Sequence, residues 1–516
     1  IVVGIQIQNI IVNSQYDENF QKFSETYNFV KQYYVDSVNS DKLIEASIKG
    51  MFDELDPYTV YIPEAMQHLV EEEMNGAFEG IGIEFQVIDD TITVVSAITG
   101  GPSEKVGLEP GDKIIKVEGE SCIGLSNSEV MEQLKGEKNT EVNITIFRPY
   151  NNEMMNFHII RDEIPINAVD AAFMYNDSVA YVSLTRFAET SEDEIKSELD
   201  RLKSLGMKKL ILDLRNNPGG LLSQAYKIAD LFISGEKLIV YTRGRISDYN
   251  EELFAELDYP YENIPLILLV NKGSASASEI VAGAVQDWDR GIIVGEQTYG
   301  KGLVQRPLVL DDNSAIRVTI SKYFTPSGRE IQKDYSLIED DMDDHDGISE
   351  SQNVSNNLET QKDSLSNTFK TANGRTVYGG GGITPDYIVS NENLTNYTLE
   401  LRRSNVYYQF IRKFMNKNVN RIDDMFNGSL REFKRYFKLT DKDMNDFIKF
   451  AESKKVEYNK TEYLKDKKYI YTRLKAFIAR ERWRNEGWYL ILLDEDTQFK
   501  KAIEISLSDV MFDTVN

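Results

Sequence analysis

The sequence predicts an α/β core that carries a small strand-rich domain near its start and is closed at both ends by helices. Three observations point there. Between Ile164 and Ile388 apolar runs of strand length alternate with helix-length amphipathic runs, the pattern of strands and helices packed in layers. Between Gly76 and Arg161 the apolar period falls to two. Before and after these stretches it returns to three and four.

In residues 1–76 the spacing of Phe23, Tyr27, Val30 and Tyr34, and then of Leu43, Ala46, Met51 and Leu55, predicts helices. Asp56-Pro57-Tyr58-Thr59-Val60-Tyr61 breaks that pattern as a structured turn. The apolar run Ile1-Val2-Val3-Gly4-Ile5 reads either as the tail of a removed signal or anchor or as a strand. Nothing after it approaches the ~20 uninterrupted apolar residues of a membrane span.

Residues 77–161 form the strand-rich domain. Ile81, Ile83 and Phe85 alternate, as do Ile92 and Val94, and Val142, Ile144 and Ile146. Turns are expected at Gly101-Pro102-Ser103 and Pro110-Gly111-Asp112. One amphipathic helix, about Ser126 to Leu134, opens with Ser126 and, three residues on, Glu129, the spacing of a capping box.

Residues 162–390 form the core: strands at Val179–Leu184, Leu210–Leu214, Leu266–Val270 and Gly291–Val294, helices at Glu192–Leu205, Leu221–Phe232 and Ser276–Trp288. Mostly apolar strands of this kind belong to a parallel sheet covered on both faces. Within the core, 334–375 is polar, rich in Ser, Asn and Asp, and reads as a mobile insertion. Its acidic run Glu339–Asp346 invites a calcium loop, but with Gly347 at the obligatory glycine the first and last ligand positions fall on Met342 and Asn353. The spacing fails, and a solvated acidic loop is the reading. Residues 391–516, rich in Tyr, Phe, Lys and Arg, read as a separate helical domain without a catalytic motif.

Composition narrows the function. The 516 residues are 41% hydrophobic and 28% charged, ordinary for a folded soluble chain, and the formal net charge of −26 argues against nucleic acid or anionic lipid as the main partner. Cys122 stands alone, so no intrachain disulfide forms. The three histidines, His68, His158 and His345, are too few and too scattered for a zinc site or a Ser-His-Asp triad. No metal and no organic cofactor is called for, and a hydrolase here needs another base.

Two turns of small residues follow apolar strands. Asp213-Leu214-Arg215-Asn216-Asn217-Pro218-Gly219-Gly220 bares backbone N–H groups, as an oxyanion hole requires, although an ordinary strand-to-helix loop has the same look. Gly273-Ser274-Ala275-Ser276-Ala277-Ser278-Glu279 sets hydroxyls at a helix N-terminus, where developing negative charge is favoured. Three serines compete there, any of them a plain helix cap, and residue type alone does not choose. Twenty-five residues beyond Ser276, Lys301 lies between Gly300 and Gly302 at the head of an apolar strand. A lysine losing hydration there has a lowered pKa and serves as a general base; a solvated turn lysine is the bland alternative.

Gly80-Ile81-Gly82-Ile83, Asp213–Gly220, Gly273–Glu279, Gly295–Gln305, Phe324-Thr325-Pro326-Ser327-Gly328-Arg329 and Gly381-Gly382-Ile383-Thr384-Pro385-Asp386 follow one another in this order. The set resembles the carboxyl-terminal processing (tail-specific) serine peptidases from about Phe20 to Ile388. The resemblance implies a crotonase/ClpP-like core with an inserted PDZ domain, Ser276 as nucleophile, Lys301 as base and Gln305 as the amide orienting that lysine. It puts Gly219 or Gly220 and Ala277 at the oxyanion hole, and it leaves Asp213 and Arg215 as architectural positions. Asp287 is read as a salt-bridge residue.

The PDZ-like stretch offers Gly80, Ile81, Gly82 and Ile83 to a terminal carboxylate, with Val130 and Leu134 lining the side-chain pocket. Expected partners are proteins or peptides with apolar C-termini, and the expected location is extracytoplasmic. Tail binding is expected to switch the active site on, with Arg161 at the domain junction as relay. Two alternatives remain. One is a non-catalytic scaffold on the same fold, which would lack one of Ser276, Lys301 and Gln305. The other, an acyl-CoA enzyme of the crotonase fold, is disfavoured by the inserted domain.

Overall fold

The apolar run ahead of each small-residue turn forms a buried strand, and those strands make the sheet that carries both turns. A computed structural model describes residues 18–335, 367–390, 393–426 and 428–508. The apolar run Ile1–Ile5, the acidic run Glu339–Asp346 and the calcium register built on it lie outside the described residues. The chain divides into two units, one of residues 1–67 with 305–319, the other of 68–304 with 320–516.

In the smaller unit, helices Glu18–Tyr33 and Ser40–Phe52 bury no residue, and Phe20, Phe29 and Tyr33 are all exposed. Asn39 caps the second helix, accepting from Lys42 N at 3.0 Å. The turn at Asp56-Pro57 is fixed by its own aspartate, whose Oδ1 accepts from the backbone N–H groups of Tyr58 and Thr59 at 2.9 and 3.0 Å. A strand absent from the sequence reading, Val60–Ile62, pairs antiparallel with Ala315–Arg317.

The larger unit is built on a six-stranded sheet in the order Val169–Met174, Val179–Leu184, Lys209–Asp213, Leu266–Val270, Ile292–Gly295, Tyr387–Ile388. The first pair is antiparallel and the rest parallel. Strands Val179–Leu184 and Leu266–Val270 are buried throughout, because both faces are covered. On one face Leu210 and Leu212 meet Ile195, Leu199, Ala225, Ile228 and Val281 of helices Ser191–Ser204, Leu222–Asp230 and Ala277–Asp287. On the other, Tyr181, Ile211 and Ile267 meet Leu490, Phe499 and Ile505 of the C-terminal helices. Those helices, from Asn396 to Leu507, also bury an aromatic-rich cluster of their own that includes Tyr407, Phe433 and Phe447.

The strand-rich domain is an antiparallel sheet in the order Ile83–Ile88, Thr91–Ala97, Lys113–Val117, Glu141–Arg148, Glu153–Ile160. Helix Asn127–Leu134 starts with the expected capping box: Ser126 accepts from Glu129 N, and Glu129 accepts from Ser126 N at 2.8 Å. The chain enters and leaves this domain through one two-stranded ribbon, Ala77–Gly80 against Asp162–Pro165. The described end of the polar insertion forms a hairpin, Thr368–Lys370 with Thr376–Tyr378. Arg375 ties that hairpin to Asp289 and Asp386 at 2.5 and 2.6 Å.

Candidate active site

Strands Lys209–Asp213 and Leu266–Val270 are neighbours in parallel register, so the two small-residue turns leave the same edge of the sheet side by side. Their contact is close. A Cβ on Gly219 would stand 2.7 Å from Ala275 O and 2.9 Å from both Ala277 N and Ser276 Cβ, so only glycine fits. Gly219 and Gly220 have φ of +101° and +142°, and Gly219 lies squarely in the region other residues avoid. Asn217, fully buried, holds the turn: its Oδ1 accepts from Gly219 N at 2.9 Å and its Nδ2 donates to Leu184 O at 2.8 Å.

The three competing serines separate here. Ser274 is buried, donates to Leu214 O at 2.7 Å and accepts from Asn271 N at 3.0 Å. Ser278 is buried and donates to Asn217 O at 2.9 Å. Ser276 is partly exposed and stands at the N-terminus of helix Ala277–Asp287, without a side-chain cap bond to that helix. Its carbonyl accepts from Glu279 N instead, and Glu279 reaches back to Ser276 N at 2.8 Å. Ser276 also has φ +54° and ψ −111°, a strained backbone for a residue with a side chain, of the kind that costs ~1–3 kcal/mol and survives where the surroundings impose it.

Glu279 joins the serine turn to the lysine turn. Its carboxylate is fully buried and accepts from Ser276 N, from Thr298 Oγ1 at 2.5 Å, from Gly300 N at 2.7 Å and from Lys301 N at 2.9 Å. Burial pushes its carboxyl up to about 7, against hydrogen bonds that pull it down. Tyr323, 1% exposed, sets its hydroxyl 3.1 Å from Ser276 O and 2.5 Å from Lys301 O. One carboxylate and one phenol therefore clasp the backbones of Ser276 and Lys301, and Lys301 itself is only partly exposed.

The sequence reading assigned no role to Glu279, Thr298 or Tyr323. For Glu279 the signal was present, since Ser276 and Glu279 have the same three-residue spacing as Ser126 and Glu129. Asp287 is paired with the buried Arg329 at 2.5 Å and accepts from Ser327 N at 2.9 Å, which makes it a brace for the 324–329 turn. Asp213 and Arg215 pair at 2.6 Å, and Arg215 continues to Asp496 of the C-terminal helices at 2.6 Å. Gln305 falls in the smaller unit, where its side-chain amide donates to Tyr58 O.

In the strand-rich domain Gly82 has φ +71°, and Ser103 bonds Ile81 O through both its N–H and its hydroxyl. Ile81, Val130 and Leu134 are 2%, 0% and 4% exposed. Val130 and Leu134 belong to the domain core, because the two-turn helix packs that face onto the sheet. Arg161 caps the same helix, donating to Leu134 O at 3.2 Å and Gln133 O at 3.0 Å. It therefore links the groove helix to the ribbon through which the domain joins the core.

Comparison with known proteins places these parts. The profile of peptidase family S41 matches residues 178–343 and that of a PDZ domain matches 80–160. An N-terminal domain named for the activating protease CtpB matches 4–65, and a family of unknown function matches 397–484. The carboxy-terminal processing protease CtpA of Bacillus subtilis is 36% identical over 318 residues, 61% of this chain and 67% of that protein. The carboxy-terminal-processing protease of Bartonella bacilliformis is 36% identical over 335 residues, 64% of this chain and 76% of that one. CtpB of Bacillus subtilis is 33% identical over 324 residues, covering 62% and 67%.

Proposed function

From the premise that this chain belongs to peptidase family S41, the carboxy-terminal processing serine proteases, we propose that Ser276 and Lys301 form its catalytic dyad and that its PDZ domain selects substrates by their C-terminal tails. The observation that carries the dyad is the fate of the three hydroxyls. Those of Ser274 and Ser278 are spent on buried carbonyls, whereas Ser276 is partly exposed on a strained turn whose backbone is clasped to that of Lys301.

In this reading neutral Lys301 Nζ takes the proton of Ser276 Oγ as that oxygen bonds to the peptide carbonyl carbon. The oxyanion settles on the first-turn amide of Ala277 and on a glycine amide of the facing turn. Gly219 N is already given to Asn217, which favours Gly220 as that donor and leaves Gly219 the task of close approach. The lysine returns its proton to the departing amine, and water, deprotonated by the same lysine, releases the acyl group. For Gln305 the orienting role rests on the family resemblance alone.

The tail reading rests on the PDZ match and on the glycine turn at Gly80–Ile83. Its substrates are proteins with apolar C-termini, and it works outside the cytoplasm. A serine-directed covalent probe followed by peptide mapping tests the dyad. Label on Ser276, lost in Lys301→Ala, is the expected result; label on Ser274 or Ser278 overturns it.

A further inference from the structure

The C-terminal helices fasten to the peptidase sheet and to the PDZ domain by opposite chemistry. Against the sheet they bury Leu490, Phe499, Ala502 and Ile505, together with the enclosed Asp213–Arg215–Asp496 chain. Against the PDZ domain the bonds run through polar groups and reach its first two strands, the turn between them, helix Pro102–Lys105 and the loop at Pro110, with the buried Tyr408 donating to Val94 O at 3.5 Å. Ile92 and Val94 point into the PDZ core, yet Thr93 between them is only 5% exposed, because the helices cover it. Arg480 binds Glu84 at 3.0 and 3.1 Å, Arg484 binds Glu104 at 2.9 Å and Lys454 binds Asp89 at 3.1 Å. Asn405 donates to Gln86 Oε1 at 2.5 Å.

Arg412 donates to Pro110 O, in a gap that a side chain at Gly111 would fill. Every cation of the three ion pairs is on the helices and every carboxylate on the PDZ domain. The pairs are not enclosed: the carboxylates run from 39% exposed at Glu104 to 70% at Asp89. Exposed pairs each add little and weaken with salt, and a polar intrachain interface of this kind permits domain motion.

We propose that the helical segment 391–516 is a releasable charged seat for the PDZ domain, fixed to the peptidase sheet on one side and holding the back of the PDZ sheet on the other. The seat holds the edge strand Ile83–Ile88 through Glu84 and Gln86, one of the two elements, with helix Asn127–Leu134, between which a tail would add. It therefore sets the orientation in which a captured tail is presented, a role that rests on the tail-reading function above. In that role it supplies a task for a stretch that matches only a family of unknown function.

The test uses hydrogen exchange on the full chain in a Ser276→Ala background, so that the protein does not digest itself. Glu84→Lys with Glu104→Lys is expected to speed exchange in the segments 91–97 and 405–412 at least ten-fold. Adding Arg480→Glu and Arg484→Glu restores the pairing in reverse and is expected to return exchange to within about two-fold of the parent. Exchange unchanged by the first pair, or not rescued by the swap, overturns the seat. Turnover of a tail-bearing unfolded protein by the Ser276 enzyme reads the second half. Cleavage of this substrate in the wild type is expected to change between low and high salt, and in the neutral variant carrying Glu84→Gln and Glu104→Gln to change much less.

Exchange that responds while turnover does not keeps the seat and overturns its control of the site. A wild-type enzyme without turnover on any tail defeats the peptidase reading and the control with it, while exchange still decides the seat.

Discussion

Around Ser276 the partners are short, buried and close in the fold: one carboxylate and one phenol hold two turns through backbone atoms, with water kept out. Around the PDZ domain they are long side chains that reach across from the C-terminal helices and stay wet. The first arrangement resists displacement, because any shift strands a buried donor or acceptor at a cost of about 1–3 kcal/mol each. The second loses little when it opens, since exposed pairs contribute about 0–1 kcal/mol apiece. On the proposed tail-reading function the two arrangements divide the work: a fixed site for the chemistry and an adjustable one for capture.

The largest expected effect comes from breaking the fixed side. Ser276→Ala removes the hydroxyl without touching the bond from this residue to Glu279, which runs from its backbone N–H. Turnover of an unfolded tail-bearing substrate is expected to fall on the order of 10⁴-fold or more, with the melting temperature nearly unchanged, since alanine keeps the Cβ and with it the backbone strain. Retained turnover sinks the assignment. Lys301→Arg is expected to be nearly as severe, because a guanidinium stays protonated and takes no proton from Ser276. A near-normal rate in that variant puts the base elsewhere.

Glu279→Gln sharpens the comparison, since it keeps the shape and removes an acceptor from a site whose four partners all donate. A loss of about 100-fold in kcat with KM nearly constant is expected, in line with positioning lost by small displacement. The pH signature is specific. The folded carboxyl titrates at about 7 rather than its ordinary 4.5, so the folded state holds its proton more tightly than the unfolded one. The stability this gives is complete below pH ~4.5 and is lost as pH rises through ~7, a fall of about 3 kcal/mol. Activity moves the other way, since only the ionised carboxylate accepts all four bonds. Denaturant melts and rate profiles across this window are expected to show opposite slopes in the wild type, and Glu279→Gln is expected to flatten the stability slope.

The fixed site was largely legible in the sequence, because its parts are local. A strand, a turn of small residues and a helix start are read from about a dozen neighbouring residues, and both turns were found that way. Only the family resemblance named Ser276; what residue type alone left open was which serine matters. That depended on where each hydroxyl points, and Leu214 and Asn217, the partners that consume Ser274 and Ser278, lie about 60 positions away. Val130 and Leu134 show how far spacing reads. It marks one helix face, which packs onto the sheet, but periodicity does not tell a groove lining from a core. The charged seat was not legible at all. Glu84 and Arg480 are 396 positions apart, and each alone looks like an ordinary solvated charge.

The smallest effect tests the adjustable side where it meets the substrate. If the turn at Gly80–Ile83 grips a terminal carboxylate, the grip consists of charge-assisted bonds from backbone N–H groups, worth about 1.5–3 kcal/mol together once desolvation is counted. Amidating a substrate's C-terminus removes the charge and is expected to raise KM by roughly ten- to a hundred-fold on that basis. Because capture and cutting occur at separate places, the loss belongs in KM: tethering raises the local concentration of the scissile segment and leaves the chemical step alone. A fall in kcat as well means that the tail also switches the site, and Arg161, which caps the groove helix beside the connecting ribbon, is then the residue to change. Arg161→Ala is expected to remove the kcat difference between free-acid and amidated substrates while keeping the KM difference. Matched kinetics on the two substrates in the wild type mean that this PDZ domain does not read tails.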